Sequence, residues 1–406
     1  MANLIGGIAP YRGINNLIIG TVDADFIFGD PYTAGNFLGV PEIGGPLATG
    51  RGGNDWLNGL GGGDWLFGDA WEISGEGQGG NDWLVGGSGT DTLYGDAYTM
   101  SGNARGGNDW LAGGQGNDTL YGDSGAVTES TKAGDDRLYG GSGNDVLYGD
   151  VGDDPDLVFS LTKGGDDQLD GGKGNDLLYG DAGDMLVEQG GNDRLNGGSG
   201  NDTLVGDQGF SHESFGGDDR LDGGSGNDTL YGDSQVELFS SGFGGNDQLY
   251  GRSGHDILIG DDGFARNGLG GDDRLDGGSG DDTLYGDYVT GVDVNGGADL
   301  LIGGAGNDQL WGTGDNLGSS FPVIADADQF LFAPGSGQDT IGDFELGADV
   351  FQIDRSYGYS SFAELQPNIS DDADGNAVVH LNGTVDQVTL VGVQTASLTA
   401  DDFFFV

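Results

Sequence analysis

Twenty aspartates, each followed two residues later by a leucine, recur in pairs nine residues apart through the middle of the chain. The pairs are Asp55 and Asp64, Asp82 and Asp91, Asp109 and Asp118, Asp136 and Asp145, Asp167 and Asp176, Asp193 and Asp202, Asp219 and Asp228, Asp247 and Asp256, Asp273 and Asp282, and Asp299 and Asp308. The ten copies open at Gly52, Gly79, Gly106, Ala133, Gly164, Gly190, Gly216, Gly244, Gly270 and Gly296, so successive copies lie 26 to 31 residues apart. Self-similarity at such a period marks a solenoid, in which each copy packs only against its neighbours.

The repeat also fixes the local structure. Helix is excluded by glycine density, since each interior Gly costs about 1 kcal/mol against Ala. Triplets such as Thr92-Leu93-Tyr94 and Trp110-Leu111-Ala112 read as very short strands with the middle Leu turned inward and the outer residues outward. Glycines supply the positive-φ turns between them. The expected fold is therefore all-β, a parallel β-solenoid with a narrow leucine core. A degenerate eleventh copy precedes the ten, with Asn16, Ile18, Asp25 and Ile27 at matching positions, and reads as a cap. Each copy ends in a variable insert after a Gly-Asp step, at Asp96, Asp123, Asp150, Asp181, Asp207, Asp233, Asp261 and Asp287. The inserts read as enlarged turns along one edge, although pieces such as Val158-Phe159 or Met185-Leu186-Val187 would also suit a third strand per coil.

Charge bears on what the turns do. The chain carries 68 Asp plus Glu against 13 Lys plus Arg, a formal net charge of −55. That balance excludes nucleic acid as a direct partner and disfavours an anionic membrane surface. It also strains any compact state unless something neutralises it. With no Cys, disulfides and zinc-thiolate sites are excluded. Turns such as Gly140-Gly141-Ser142-Gly143-Asn144-Asp145, stacked coil upon coil, present backbone carbonyls and one carboxylate from each of two neighbours. An all-oxygen cage of this kind suits Ca²⁺, with six to eight ligands in loose geometry, better than Mg²⁺, which needs a stricter octahedron. A single Gly-Asn-Asp turn would be ordinary loop chemistry. Ten in strict register point to several bound calcium ions.

The run Gly-Gly-x-Gly-x-Asp-x-Leu-x, from about residue 52 to 312, resembles the RTX (haemolysin-type) calcium-binding nonapeptide repeat. The resemblance implies a calcium-stabilised parallel β-roll. It also implies calcium ligation by the second-unit aspartates Asp91, Asp118, Asp145, Asp176, Asp202, Asp228, Asp256, Asp282 and Asp308. Asp64 matches at its Asp, but Leu60 stands where the second glycine belongs, and Arg252 and His255 alter the turn before Asp256. The first-unit aspartates Asp55, Asp82, Asp109, Asp136, Asp167, Asp193, Asp219, Asp247, Asp273 and Asp299 sit beside the altered turns and are expected to bind calcium as well. Beyond Asp326, the segments Asp328-Gln-Phe-Leu-Phe, Gly337-Gln-Asp-Thr-Ile-Gly-Asp-Phe-Glu-Leu-Gly-Ala-Asp, Val388-Thr-Leu-Val-Gly-Val and Asp401-Asp-Phe-Phe-Phe-Val resemble the C-terminal cap of serralysin-type, type I-secreted RTX proteins. In that family this end carries an uncleaved export signal, so the exporter is the implied partner and a Gram-negative bacterium the implied source. Physically the same segment reads as a β-cap over the solenoid's open edge. Asp372, Asp374, Gly375 and Asn376 imitate the start of an EF-hand loop, but Gly383 stands where its last Glu belongs, so a hairpin turn is expected.

Catalytic signatures are missing from the pattern. His212-Glu213 lacks the second His of a zincin, the other histidines are His255 and His380, and no Gly-x-Ser-x-Gly elbow with triad partners occurs. Arg137, Arg194, Arg220 and Arg274 read as charge compensation rather than the base of a lyase. Two outward columns remain: the aromatics Phe67, Tyr94, Tyr121, Tyr148, Tyr179, Tyr231, Tyr285 and Trp311, and the threonines Thr92, Thr119, Thr203, Thr229 and Thr283. Aromatics in a ladder can stack on sugar rings, but cross-strand packing explains them as well. The threonines lack the paired Thr of an ice-binding ladder. Met1 to Pro10 has no basic stretch and no apolar run reaches 18 residues, so neither a cleaved signal peptide nor a membrane helix is expected. The organisation read from sequence is an N-terminal degenerate repeat (1–51), ten repeats (52–325) and a C-terminal cap (326–406). The functional expectation is a secreted, non-catalytic protein that folds on extracellular Ca²⁺ and serves a structural, adhesive or matrix role. A polysaccharide-binding module, or a calcium-dependent enzyme acting on polysaccharide, is the alternative, with polysaccharide or a cell surface as partner.

Overall fold

The computed structural model describes residues 3–6, 17–21, 25–28, 47–128, 131–152, 160–182, 186–187, 189–207, 215–237, 243–266, 269–292, 296–316 and 327–406. Asn16, Val158, Phe159, Met185, His212, Glu213 and the 325/326 boundary lie outside the described residues. The chain divides into two units, Met1–Ser214 and Phe215–Val406.

In the first unit each coil crosses three parallel sheets. A six-residue strand such as Trp83–Ser88 is followed by a three-residue strand such as Thr92–Tyr94, then by a strand within the insert such as Ala97–Met100. Register is strict on the first two faces. Leu57, Leu84, Leu111, Leu138, Leu169 and Leu195 pair in succession. So do Leu66, Leu93, Leu120, Leu147, Leu178 and Leu204. All twelve are buried, which is the outcome that leucine two residues past each Asp predicts. The inserts take the third-strand alternative rather than staying simple turns: Ala70–Gln78 pairs with Leu47–Arg51 and with Ala97–Met100, and Ala97–Met100 with Ser124–Val127. Further along, Thr131–Lys132, Ser160–Lys163 and Leu186–Val187 continue such pairing. The reason lies in apolar residues scattered at low density in the inserts. Ile73, Met100 and Val127, with Ala70, Ala97, Val151 and Ala182, form a third side of the core.

The third side corrects the reading of the aromatic column. Phe67, Tyr94, Tyr148 and Tyr179 are buried, and the inserts fold back over the first two of these rings. Trp71 lies 5.6 Å from Phe67, and Tyr98 meets Tyr94 edge-on at 5.8 Å. Gly152 presses on the Tyr121 ring so closely that a Cβ there would lie 2.1 Å away. The rings stack on one another at 4.7 to 5.2 Å, nearly parallel, so their faces are consumed by cross-strand packing. The degenerate copy behaves as a coil: Ile18 pairs with Leu57 and Ile27 with Leu66. It is not the last layer on its side, since Asn3–Gly6 pairs with Asp25–Phe28.

The second unit is built on the same plan. Leu221, Leu249, Leu275 and Leu301 stack on one face, and Leu230, Leu258, Leu284 and Leu310 on the other. The sequence repeat stops near residue 326, but the coiling continues. Leu301 is followed by Phe330, Phe351 and Phe403, and Leu310 by Ile341 and Leu390. Ile369–Asp371, Ala377–Asn382 and Asp386–Leu390 then form an antiparallel set, turning the parallel sheet back on itself. The EF-hand-like loop is the expected hairpin turn: Asp372 accepts from Asp374 N and Asn376 N, and Gly375 has φ +90°. No described helix is long and apolar enough to cross a membrane.

Candidate metal centre

Asp-x-Leu at the start of the repeat strands on the first two faces places the aspartate in the turn and the leucine in the core, so register in the core sets register among the carboxylates. The second-unit aspartates form one column. Asp64 N–H donates to Asp91 Oδ1, Asp91 to Asp118, Asp118 to Asp145 and Asp145 to Asp176, each at 2.8 Å. In the second unit Asp228, Asp256, Asp282 and Asp308 are linked alike. The first-unit aspartates form another column, from Asp55 through Asp82, Asp109, Asp136 and Asp167 to Asp193 at 2.6 to 2.7 Å. In the second unit Asp219, Asp247, Asp273 and Asp299 are linked in the same way. All twenty are buried.

Both columns run further than the repeat. Asp25 N–H donates to Asp64 Oδ1, Asp308 N–H to Asp339 Oδ1, Asp299 N–H to Asp328 Oδ1 and Asp328 N–H to Asp349 Oδ1. Sequence reasoning missed Asp328, Asp339 and Asp349. The signal was present as Asp-x-apolar, with Phe330, Ile341 and Phe351 in place of leucine.

Glycine is required where successive turns stack. Gly89 has φ +144°, and a Cβ on it would lie 1.3 Å from Gly62 O. Leu60 and Arg252, which depart from the glycine pattern and lie opposite Gly87 and Gly278 of the next coil, adopt a left-handed backbone at φ +74° and +75°. The columns continue past both, since Asp64 and Asp256 keep their bonds to Asp91 and Asp282. His255 takes the place of an asparagine in a parallel side-chain ladder, its N–H donating to Asn227 Oδ1 and its Nδ1 accepting from Asp281 N.

A third column comes from the Gly-Asp steps, which the sequence marked only as the start of the inserts. Asp69, Asp96, Asp150 and Asp181 each accept, through Oδ2, from the second glycine N–H of the following Gly-Gly step, and Asp123 likewise from Gly134, which follows Ala133. In the first unit these side chains close on the first-unit column. Among the described residues five buried groups of three result: Asp69–Asp82–Asp96, Asp96–Asp109–Asp123, Asp123–Asp136–Asp150, Asp150–Asp167–Asp181 and Asp181–Asp193–Asp207, with ligand atoms within 4.8 Å of one another.

Electrostatics shows what the groups lack. Burial pushes Asp64 and Asp118 up to about 6, Asp145 to about 7 and Asp167 to about 8, from an ordinary 3.8. Burial, with the charges of Asp69 and Asp109 next, raises Asp82 well above that range; burial with Asp167 and Asp123 does the same for Asp150. The ion pairs Arg252–Asp222 and Arg274–Asp276 lie on the surface, away from the columns. Arg137 and Arg220 donate to Gln168 and Gln248 on neighbouring coils. Oδ2 of Asp64, Asp82, Asp91, Asp109, Asp118 and Asp136 is buried with no hydrogen-bond partner. A buried anionic oxygen left so costs several kcal/mol unless a cation meets it. Carboxylate and carbonyl oxygens without nitrogen or sulfur are the donor set of calcium, so the residues present fit that ion.

A family model for the RTX calcium-binding nonapeptide repeat matches residues 48–70, 76–97, 103–128, 130–154, 162–184, 189–211, 214–238, 241–264, 267–287 and 293–316. Comparison with curated proteins gives no match. With more than half of the chain matched by that model and its aspartates stacked in turns positioned to hold metal ions, the chain belongs to the RTX calcium-binding repeat family.

Proposed function

We propose that this calcium-binding RTX chain is a calcium-dependent folding module exported unfolded and assembled outside the cell. The observation that carries the reading is the burial of like-charged aspartate columns whose outer oxygens, on Asp91 and Asp118 for example, meet no protein donor. In metal-free water those carboxylates repel one another, and a core one or two side chains wide does not offset the ordering entropy. Bound calcium supplies the neutralising charge and, by acting on the folded form alone, stabilises it by mass action. The twenty paired aspartates are assigned as ligands. Passage through a type I exporter suits a chain that is disordered at low intracellular calcium, and residues 326–406 are assigned the export signal and cap. No catalytic step is assigned, and the folded product is read as a structural, adhesive or matrix component at the cell exterior.

Far-UV circular dichroism at pH 8, with added calcium and then with chelator, tests the folding step. The β signal should appear with calcium and vanish with chelator. A signal that persists in chelator overturns the reading.

A further inference from the structure

We propose that the Gly-Asp corner of the first unit is a row of divalent-cation sites, one per coil, chemically distinct from the nonapeptide turns. The nonapeptide column contributes one carboxylate per coil. The corner contributes two, one from the first-unit column and one from the Gly-Asp step, and the second belongs to no part of the nonapeptide pattern.

The corner is built as a site. Asp82, Asp96, Asp109, Asp123, Asp136 and Asp150 are each at least 96 % buried, none being more than 4 % exposed. Each commits one carboxylate oxygen to a backbone N–H. The other oxygen of each is buried without a hydrogen-bond partner, Oδ2 in the first-unit column and Oδ1 in the Gly-Asp column. Carbonyl oxygens join them. A Cβ built on Gly68 would lie 1.7 Å from Gly95 O and 2.1 Å from Asp82 Oδ2, so both oxygens crowd one point. The same pair recurs one coil on at Gly95, with Gly122 O at 1.7 Å and Asp109 Oδ2 at 2.2 Å. Three carboxylates and a carbonyl supply at least four oxygens, which the remaining carboxylate oxygens or water extend to the six to eight of calcium.

Charge sets the stoichiometry. The five groups share eleven aspartates, because Asp96, Asp123, Asp150 and Asp181 each belong to two groups. Each further coil adds two negative charges and one site, so one divalent ion per coil leaves the row nearly neutral. A monovalent ion would leave a buried charge in every coil, which a low-dielectric interior does not tolerate. Sharing also couples the sites, since a ligand held in place by one ion is already positioned for the next.

This inference rests on the calcium reading above but fails separately from it. Bound calcium is counted by elemental analysis on the full chain folded in calcium. Asp123→Asn touches two groups and should lower the count by two; Asp109→Asn touches one and should lower it by one. Asp118→Asn, in the nonapeptide column, should leave the corner row intact. Equal counts for Asp123→Asn and wild type, or equal losses for Asp123→Asn and Asp109→Asn, overturn the proposal. Should a variant not fold, anomalous diffraction from wild-type crystals grown in calcium decides: peaks are expected within each three-aspartate group, about 4.8 Å apart along the row, and a corner without them refutes it. Folding in chelator would instead defeat the folding reading while leaving the ion count to judge the corner.

Discussion

The backbone N–H of Asp82 donates to Oδ1 of Asp109, one coil further along, at 2.6 Å. Asp109 in turn donates to Asp136, and Asp136 to Asp167 across a step of 31 residues, again at 2.6 Å. The joint between coils therefore does not depend on how long the insert is. Each side chain serves twice, with one oxygen closing the previous coil and the other facing the cation position.

Replacing Asp109 separates those two roles. Asn keeps a carbonyl oxygen for the Asp82 N–H and loses the charge, and with it the corner ion that Ala would lose as well. Ala leaves that N–H buried and unbonded, a cost of about 1–3 kcal/mol. In saturating calcium, Asp109→Ala should be less stable than Asp109→Asn by that amount in urea melts. Coincident midpoints would show that the inter-coil bond carries no stability.

Acid should partly replace calcium. With Asp118 held at about 6, Asp145 at about 7 and Asp167 at about 8, against 3.8 ordinarily, the metal-free folded chain binds more protons than the unfolded chain between about pH 4 and 8. Stability from these groups is complete below the unfolded value and is lost as pH rises through 6 to 8. Chelated protein should thus gain β signal on going from pH 8 to pH 5 and lose it on return. A chelated signal that does not change over that range contradicts the burial of these carboxylates.

Trp56, Trp83 and Trp110 form a column on the six-residue strands, with the exposed Trp56 and Trp83 stacked at 5.5 Å and the half-buried Trp110 tilted against Trp83 at 4.2 Å. Stacked indoles couple excitonically, so calcium should bring a tryptophan couplet into the far-UV spectrum together with the β signal. Trp83→Phe breaks the stack at its centre and should remove the couplet. The ring lies 42 % exposed, so the midpoint should move by less than about 1 kcal/mol. A couplet unchanged by the substitution would place these rings elsewhere.

Much of this was legible in the sequence because Asp-x-Leu carries two constraints at once, a turn ligand and a core side chain two residues on. The leucine columns and both expected aspartate columns follow from it. What was not legible depends on the inserts, which vary in length and carry few apolar residues. Ile73, Met100 and Val127 stand 27 residues apart and keep the period of their copies, but inserts of unequal length hide that column further along, and without the sheet it supports Phe67 and Tyr94 read as outward rather than covered. Asp96 and Asp123 were visible as Gly-Asp steps. Their closeness to Asp109 depends on how the insert leaves and re-enters the coil, which no spacing in the sequence expresses. Asp328 and Asp339 were hidden by a change of interval, from nine residues to eleven, although the alternation with Phe330 and Ile341 persisted.

Turn glycines provide a final test in opposite directions. Leu60 occupies a left-handed backbone at φ +74°, a conformation that costs a non-glycine residue about 1–2 kcal/mol. Leu60→Gly relieves it, partly offset by the greater freedom of glycine in the unfolded chain, about 0.4–1 kcal/mol. A net gain of about 0.5 kcal/mol is expected in the presence of calcium. Gly89→Ala runs the other way: its Cβ would sit 1.3 Å from Gly62 O, a backbone atom, at φ +144°. Backbone would have to shift in two adjacent coils, at a cost above about 2 kcal/mol. Thermal melts of the two variants should therefore bracket the wild type. If Gly89→Ala melts with wild type, the turns do not stack as closely as Gly62 O and Gly89 require.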